Sequence, residues 1–264
     1  MPQPQWRSRR RAHEDRVDAL LADHLRRRAK GEKHPVADFL FTYYSYRPAQ
    51  LRRWHPGHGI TLDGGESVDT HAILAQRRSS VEWIHGLLTA TAARAPHFGC
   101  FGMHEWAMVY RDDDTRHPQP LRLGAKGTAA LVDEIRVRCS HFDAFRFFTP
   151  PARALNALQP TRESQIELEQ PGCLHANMDV YRWAYKLAPL IPSELIADCF
   201  ELARDIRTLD MQASPYDLSA FGVEPVRIET PEGRADYTRR QREFADRAGV
   251  LRGRLIEWTE KLCS

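Results

Sequence analysis

Thr230-Pro231-Glu232 sets a capping hydroxyl, a proline suited to the first helical turn and an acid at the positive end of a helix. Behind it Tyr237, Phe244, Leu251 and Trp258 recur every seven residues, and Ala248, Leu255 and Leu262 form a second seam. The pattern predicts one helix reaching as far as Leu262. A second long helix starts at Ser193, a capping residue. Its apolar positions Leu195, Cys199, Leu202, Ile206 and Leu209 follow at spacings of four and three. Two long apolar stripes must be buried against other elements, and this constrains the chain to a mainly α fold. The seven-residue recurrence has two readings: a seam joining two copies of the chain, or an amphipathic helix lying on its own core.

The remaining segments fit that frame. Residues 1–12, rich in Pro, Gln, Ser and Arg, read as a disordered tail, and 13–264 as a single globular domain. Residues 13–30 read as a helix with Val17, Leu20, Leu21 and Leu25 on its apolar stripe. A buried aromatic helix is expected from Pro35, a short one from Pro48 to about Trp54, and a longer one over 67–94 with a break near Arg78. Trp83, Leu87 and Leu88 would mark the inward face of that longer helix. Residues 175–188 read as one crowded helix ended by Pro189. Ile135, Val137 and Cys139 alternate with strand period. An acidic turn is expected around Asp112–Asp114. A small β element in the middle of a helical domain is therefore predicted.

Composition excludes some classes. Hydrophobic residues make up 42% and charged residues 28% of the chain, as in ordinary globular proteins. No run approaches the roughly 20 apolar residues of a membrane span. The basic N-terminus lacks an apolar segment, so a cytoplasmic protein with no membrane partner is expected. Five cysteines form no disulfide framework by spacing. The net charge of +3 is mild for a dedicated nucleic-acid domain. The basic residues are nearly all arginine, the better bidentate phosphate ligand. Arg9 to Arg11, Arg26 to Arg28, Arg52 with Arg53, and Arg77 with Arg78 are the clusters through which DNA could be held.

Chemistry-bearing residues concentrate in three stretches. "HFGCFGMHEW" carries His97, Cys100, His104 and Glu105; "CSHFD" carries Cys139, His141 and Asp143; "CLHANMD" carries Cys173, His175 and Asp179. Imidazole, thiolate and carboxylate bind zinc or iron and move protons. The four histidines are the candidate metal ligands, with a divalent zinc or iron as the cofactor. Asp143, Asp179 and Glu105 are the candidate catalytic acids. Trp106, Trp183, Tyr185 and Phe145 flank the clusters as rings against which a substrate could lie. Each of these residues also has an ordinary reading as core. Lys186, alone on the aromatic helix, reads as a lysine reaching to solvent rather than a Schiff-base nucleophile.

The stretches "HPVADFLFTYYSYRPAQLRRWHPG", "PHFGCFGMHEWAMVYR", "RCSHFDAFRFFTPPARALNALQPTRE" and "QPGCLHANMDVYRWAYKLAP" resemble a family of actinobacterial proteins commonly labelled 3-methyladenine DNA glycosylase, over about residues 13–262. The resemblance implies a hydrolase of DNA repair that releases alkylated purine. Of the helix-hairpin-helix glycosylases' glycine-rich hairpin only Pro171-Gly172 is echoed, and "MHEWA" departs from the His-Asp-x-Glu-Trp-Gly context of the zinc-containing enzymes. No catalytic residue is carried over from either. In an N-glycosylase, Asp143 or Asp179 would stabilise the oxocarbenium-like sugar and Trp106 or Trp183 would stack the base. The alternatives are a metal-dependent enzyme acting on a small molecule, with Glu105 as proton carrier, and a non-catalytic scaffold that dimerises through residues 237–262.

Overall fold

The computed structural model describes residues 1–66, 68–112, 115 and 117–264. The chain is mainly helical, and among the described residues β pairing is confined to one antiparallel bridge, Leu121 with Tyr216. No helix among these residues is long and apolar enough to cross a membrane. Two compact units divide the span read from sequence as one domain. Unit 1 comprises Met1–Thr89, Met178–Arg204 and Val250–Ser264; unit 2 comprises Ala90–Asn177 and Asp205–Gly249.

Unit 1 begins with α1 (Gln3–Ala29), α2 (Phe39–Thr42), α3 (Pro48–Arg52) and nearly all of α4 (Thr70–Ala92). The expected disordered tail at 1–12 is instead the first part of α1. Trp6 is its anchor: the ring is buried and its Nε1 donates to the Asp63 carbonyl at 3.1 Å, while Arg9 pairs with Glu194 at 2.9 Å. One aromatic docking point supplies what the polar composition of this segment does not show. Leu25, expected inward, is 41% exposed. The helix expected from Pro35 is short and starts at Phe39, and α4 runs through Arg78 unbroken.

Unit 2 holds α5 (Met103–Ala107), α6 (Gly124–Glu134), α7 (Phe142–Phe145), α8 (Pro150–Leu155), α9 (Gln165–Leu168) and all of α10 (Leu174–Met178) but its last residue. Then α11 (Val180–Lys186) returns to unit 1, and α12 (Ser193–Gln212) and α13 (Pro231–Cys263) each give a segment to both units. The single helix expected over 175–188 is thus two, parted at Asp179. On α12 all five predicted apolar positions are buried. Ser193 Oγ, expected to cap that helix, instead donates to the Arg53 carbonyl at 3.1 Å and accepts from the His55 amide at 2.8 Å. Thr230 caps α13 as its sequence predicts, its Oγ1 accepting from the Gly233 amide at 3.1 Å.

The predicted central strand is not a strand. Val137 and Cys139 are buried and Arg136 and Arg138 exposed, so the alternation is real, but no neighbouring strand pairs with it. Asn156 takes the partner's place: its Oδ1 accepts from the Cys139 amide at 2.7 Å and its Nδ2 donates to the Cys139 carbonyl at 2.9 Å. Ala157 N adds a bond to the Val137 carbonyl at 3.0 Å. An extended segment buried on one side shows period two whatever satisfies its backbone. Of the acidic turn expected at 112–114, residues 113 and 114 lie outside the described residues.

Candidate functional site

The glycine-rich stretch "FGCFGMHEW" makes a tight turn that aims a short helix inward. Phe101 and Gly102 both have positive φ, 47° and 72°, and Met103 N closes the turn on the Cys100 carbonyl at 2.9 Å. A Cβ at Gly102 would also press on Ala213 at 3.3 Å. Helix α5 follows with every residue buried, including His104 and Glu105. A second close approach brings residue 97 against residue 172. A Cβ at Gly172 would lie 2.6 Å from the His97 carbonyl oxygen, and Gln170 bonds both the amide and the carbonyl of His97.

All three stretches contribute to one buried cluster in unit 2. The rings of His104 and His175 meet edge to face at 4.2 Å between centroids, and His141 stacks on the other side of His175 at 5.4 Å. His104 Nε2 lies 2.8 Å from Asp210 Oδ1 on α12. Arg207, one turn before Asp210, reaches its Oδ2 at 2.5 Å and Glu105 Oε1 at 3.1 Å. His141 Nδ1 accepts from the Ala144 amide at 3.3 Å, capping α7, so its Nε2 carries the proton of the neutral ring and faces Glu169 Oε1 at 3.5 Å. Gln165 fixes that carboxylate at 2.6 Å, and Arg94 donates to the Glu169 carbonyl at 2.8 Å.

Burial shapes the electrostatics. It disfavours the charged form of His104, but the charge and hydrogen bond of Asp210, with a further bond to Cys100, outweigh it and hold the imidazole at about 10. Asp210 is pressed the opposite way. Burial favours its neutral form, yet His104, His175 and Arg207 hold it ionised far below the usual carboxylate range. The cysteines respond to burial alone in sign: Cys139 is pushed well up, and Cys173 to about 12, each raised further by Cys100.

His104, His175 and Asp210 each present a ligand atom within 4.8 Å of the other two. Beside them is a cavity of about 10 Å³, close to the volume that admits one water or one ion. Cys100, Cys139 and Cys173 line it together with the two histidines. Two further lining groups, Tyr237 OH and Gln241 Oε1, are fully buried and have no hydrogen-bond partner among the described residues. Two imidazoles, three thiols and two unsatisfied oxygens line a space of ionic size, and the Asp210 carboxylate lies beside the imidazoles. That donor set fits zinc or ferrous iron.

The other predicted residues fall elsewhere. His97 is half-buried and held by its backbone, outside the ligand group. His141 stands behind His175 rather than among the ligand atoms. Asp143 is half-buried and lies 3.2 Å from Arg146. Glu105 is committed to Arg207, and so positions Asp210 instead of facing the cavity. Trp106 is core: it is fully buried, and its Nε1 donates to the Ala213 carbonyl at 2.8 Å. Phe145 packs on Phe148 at 5.2 Å. Asp179 belongs to unit 1, where Tyr44 OH donates to it at 2.7 Å and Arg182 lies 3.2 Å away. Trp183 and Tyr185 are also in unit 1, against Trp83 and Tyr46.

Most of the arginine clusters are already neutralised. Arg9, Arg10 and Arg11 face Glu194, Glu14 and Asp15; Arg26 and Arg27 face Asp23 and Asp38; Arg52 is bidentate on Asp18. Arg78 donates to the Cys263 carbonyl. Asp210, Arg207 and Glu169 were not singled out by sequence as site residues. Their one signal is position: Arg207 and Asp210 continue the apolar face of α12, adjoining Ile206 and Leu209. No family model, no curated protein and no solved structure matches the chain.

Proposed function

We propose that the chain is a metal-dependent enzyme whose centre lies in unit 2, with His104, His175 and Asp210 as ligands to zinc or iron. The convergence of these three side chains, drawn from α5, α10 and α12, carries the reading. The cavity beside them supports it, because buried oxygens left without a hydrogen bond are costly. Cys100 is the nearest thiol to the ligand set by its bond to His104 and is the natural further ligand. When bound, such an ion supplies Lewis-acid activation of water or of a substrate oxygen. Glu105 and Arg207 hold Asp210, and Glu169 holds His141 behind His175, as surrounding groups commonly orient metal ligands.

The test is elemental analysis of protein purified without an affinity tag, beside the His175→Ala variant. About one zinc or iron per chain is expected in the wild type, with loss in the variant and unchanged helical content. Wild-type protein that carries no metal and takes up neither zinc nor ferrous ion removes the reading.

The glycosylase reading has one observation in its favour. The stretches that carry the family resemblance are those that supply His104, His141 and His175 to the cluster. Its assay is release of free base from alkylated duplex DNA, with and without chelator. Absence of release at any salt concentration would remove it.

A further inference from the structure

Unit 1 contains a large open cavity of a different character. Its volume is about 830 Å³, within the range of small-molecule sites. Three cationic side chains line it, Arg53, Arg77 and Lys186, and no aspartate or glutamate does so among the described residues. None of the three makes a salt bridge among the described residues, in contrast to Arg52, the neighbour of Arg53 in sequence. Arg77 Nη1 donates to the Ala188 carbonyl at 2.9 Å, which fixes the guanidinium without neutralising it.

The same walls are aromatic. Trp83 lies inside a regular helix, yet is 38% exposed and lines the cavity. Trp183 supports it edge-on at 5.3 Å between centroids. Lys186 Nζ lies 5.7 Å from the Trp183 ring, and Tyr185 stacks on Tyr46 at 5.0 Å. A solitary exposed tryptophan is unremarkable. One braced within a concavity beside three uncompensated cations is shaped for a ligand that is both flat and anionic.

We propose that this cavity binds a nucleoside diphosphate, with the phosphates on Arg53, Arg77 and Lys186 and the base against Trp83. Three cations match the charge of a diphosphate. Guanidinium groups grip phosphate oxygens two at a time, and the lysine adds a point charge. The rings supply the sequence-tolerant face on which a base stacks. The site is independent of the metal centre, because every residue invoked belongs to unit 1.

The test is calorimetric titration of the full chain at fixed ionic strength with adenosine diphosphate, uridine diphosphate, pyrophosphate and adenosine. A nucleoside diphosphate is expected to bind in the micromolar range, about tenfold or more tighter than pyrophosphate or adenosine. Trp83→Ala should abolish the advantage over pyrophosphate. The double variant Arg53→Gln/Lys186→Gln should weaken the diphosphates about tenfold or more. Trp83 and Lys186 are exposed, and thermal melts will confirm that the variants fold. Neither diphosphate binding below about 1 mM would overturn the proposal. So would equal binding of pyrophosphate or adenosine, or variants with wild-type affinity. A single-stranded hexanucleotide that binds about tenfold tighter than both mononucleotides would overturn the assignment to a free nucleotide.

Discussion

His104 Nε2 stands 2.8 Å from Asp210 Oδ1, while the other oxygen of the same carboxylate is held by Arg207. Asp210 is thus the buried carboxylate shared by the His104 ring and the Arg207 guanidinium. Asp210→Ala removes the carboxylate that bonds both Arg207 and His104. Removing one partner from a buried ion pair costs about 3–5 kcal/mol, and that loss is expected in urea unfolding. Asp210→Asn keeps the volume and an acceptor, so its loss should be smaller. Equal stability of Asp210→Ala and wild type would show that the network is not buried as described.

Asn156 is the surrogate strand partner of Cys139, and Asn156→Ala tests that role. The variant strips the Cys139 amide and carbonyl of their bonds in a buried setting. Each orphaned group costs about 1–3 kcal/mol, so a loss of several kcal/mol is expected. The thiol of Cys139 should also react faster with a thiol reagent, because the segment that holds it is released. Unchanged stability and unchanged thiol reactivity would mean that water replaces the side chain without cost.

Long-range pairing explains which features could be read in advance. The faces of α12 and the start of α13 were legible, because helical spacing is written locally and the cap at Thr230 is a local signal. The recurrence of Cys-x-His pointed to His141 and His175, and His104 joins them through its glycine-rich stretch. Arg207 and Asp210 were not legible, since charged residues on a helix ordinarily face water. Glu105 and His104, about a hundred residues away, help to make their burial tolerable. Glu169 lies in a polar stretch of the sequence, yet it is 2% exposed and bonded to Gln165. Asp179, Trp183 and Tyr185 were grouped with His175 by adjacency, but the chain passes from α10 to α11 there and leaves unit 2.

On α13 the two seams separate. Tyr237, Ala248, Leu255 and Leu262 are buried, whereas Phe244, Leu251 and Trp258 are half-buried. Leu255→Ala should therefore cost about 2–5 kcal/mol. Leu251→Ala should cost less, about 1–2 kcal/mol, since part of its apolar area is already in water. Thermal or urea unfolding of the two variants side by side decides the order. A larger loss for Leu251 would mean that its exposed side is covered in solution, as a seam between two copies would cover it. Size-exclusion chromatography would then show the dimer.

The last prediction concerns pH and rests on His13. Its Nε2 lies 2.9 Å from the Leu51 carbonyl, so Nε2 carries the proton, and its buried Nδ1 faces no partner. Protonation would put a second N–H where nothing accepts it. Burial is the main cause that lowers this histidine below its ordinary value of 6.5; Arg16 adds to that, while the Leu51 bond and the charges of Glu194 and Glu14 oppose it. A histidine lowered in the folded state binds fewer protons there than in the unfolded chain. Its contribution is complete above the ordinary value and is lost as pH falls through 6.5 toward the lower folded value. The contribution of His13 should therefore decline from pH 7 to pH 5, against an opposite one from His104, which is raised in the fold. His34, His55, His58 and His97 are shifted in the same direction as His13 and add to its slope. His13→Gln keeps a donor for Leu51 and cannot titrate, so its urea stability should fall less over that interval. An unchanged slope in the variant would assign the whole effect to the other histidines and show that His13 is reached by water.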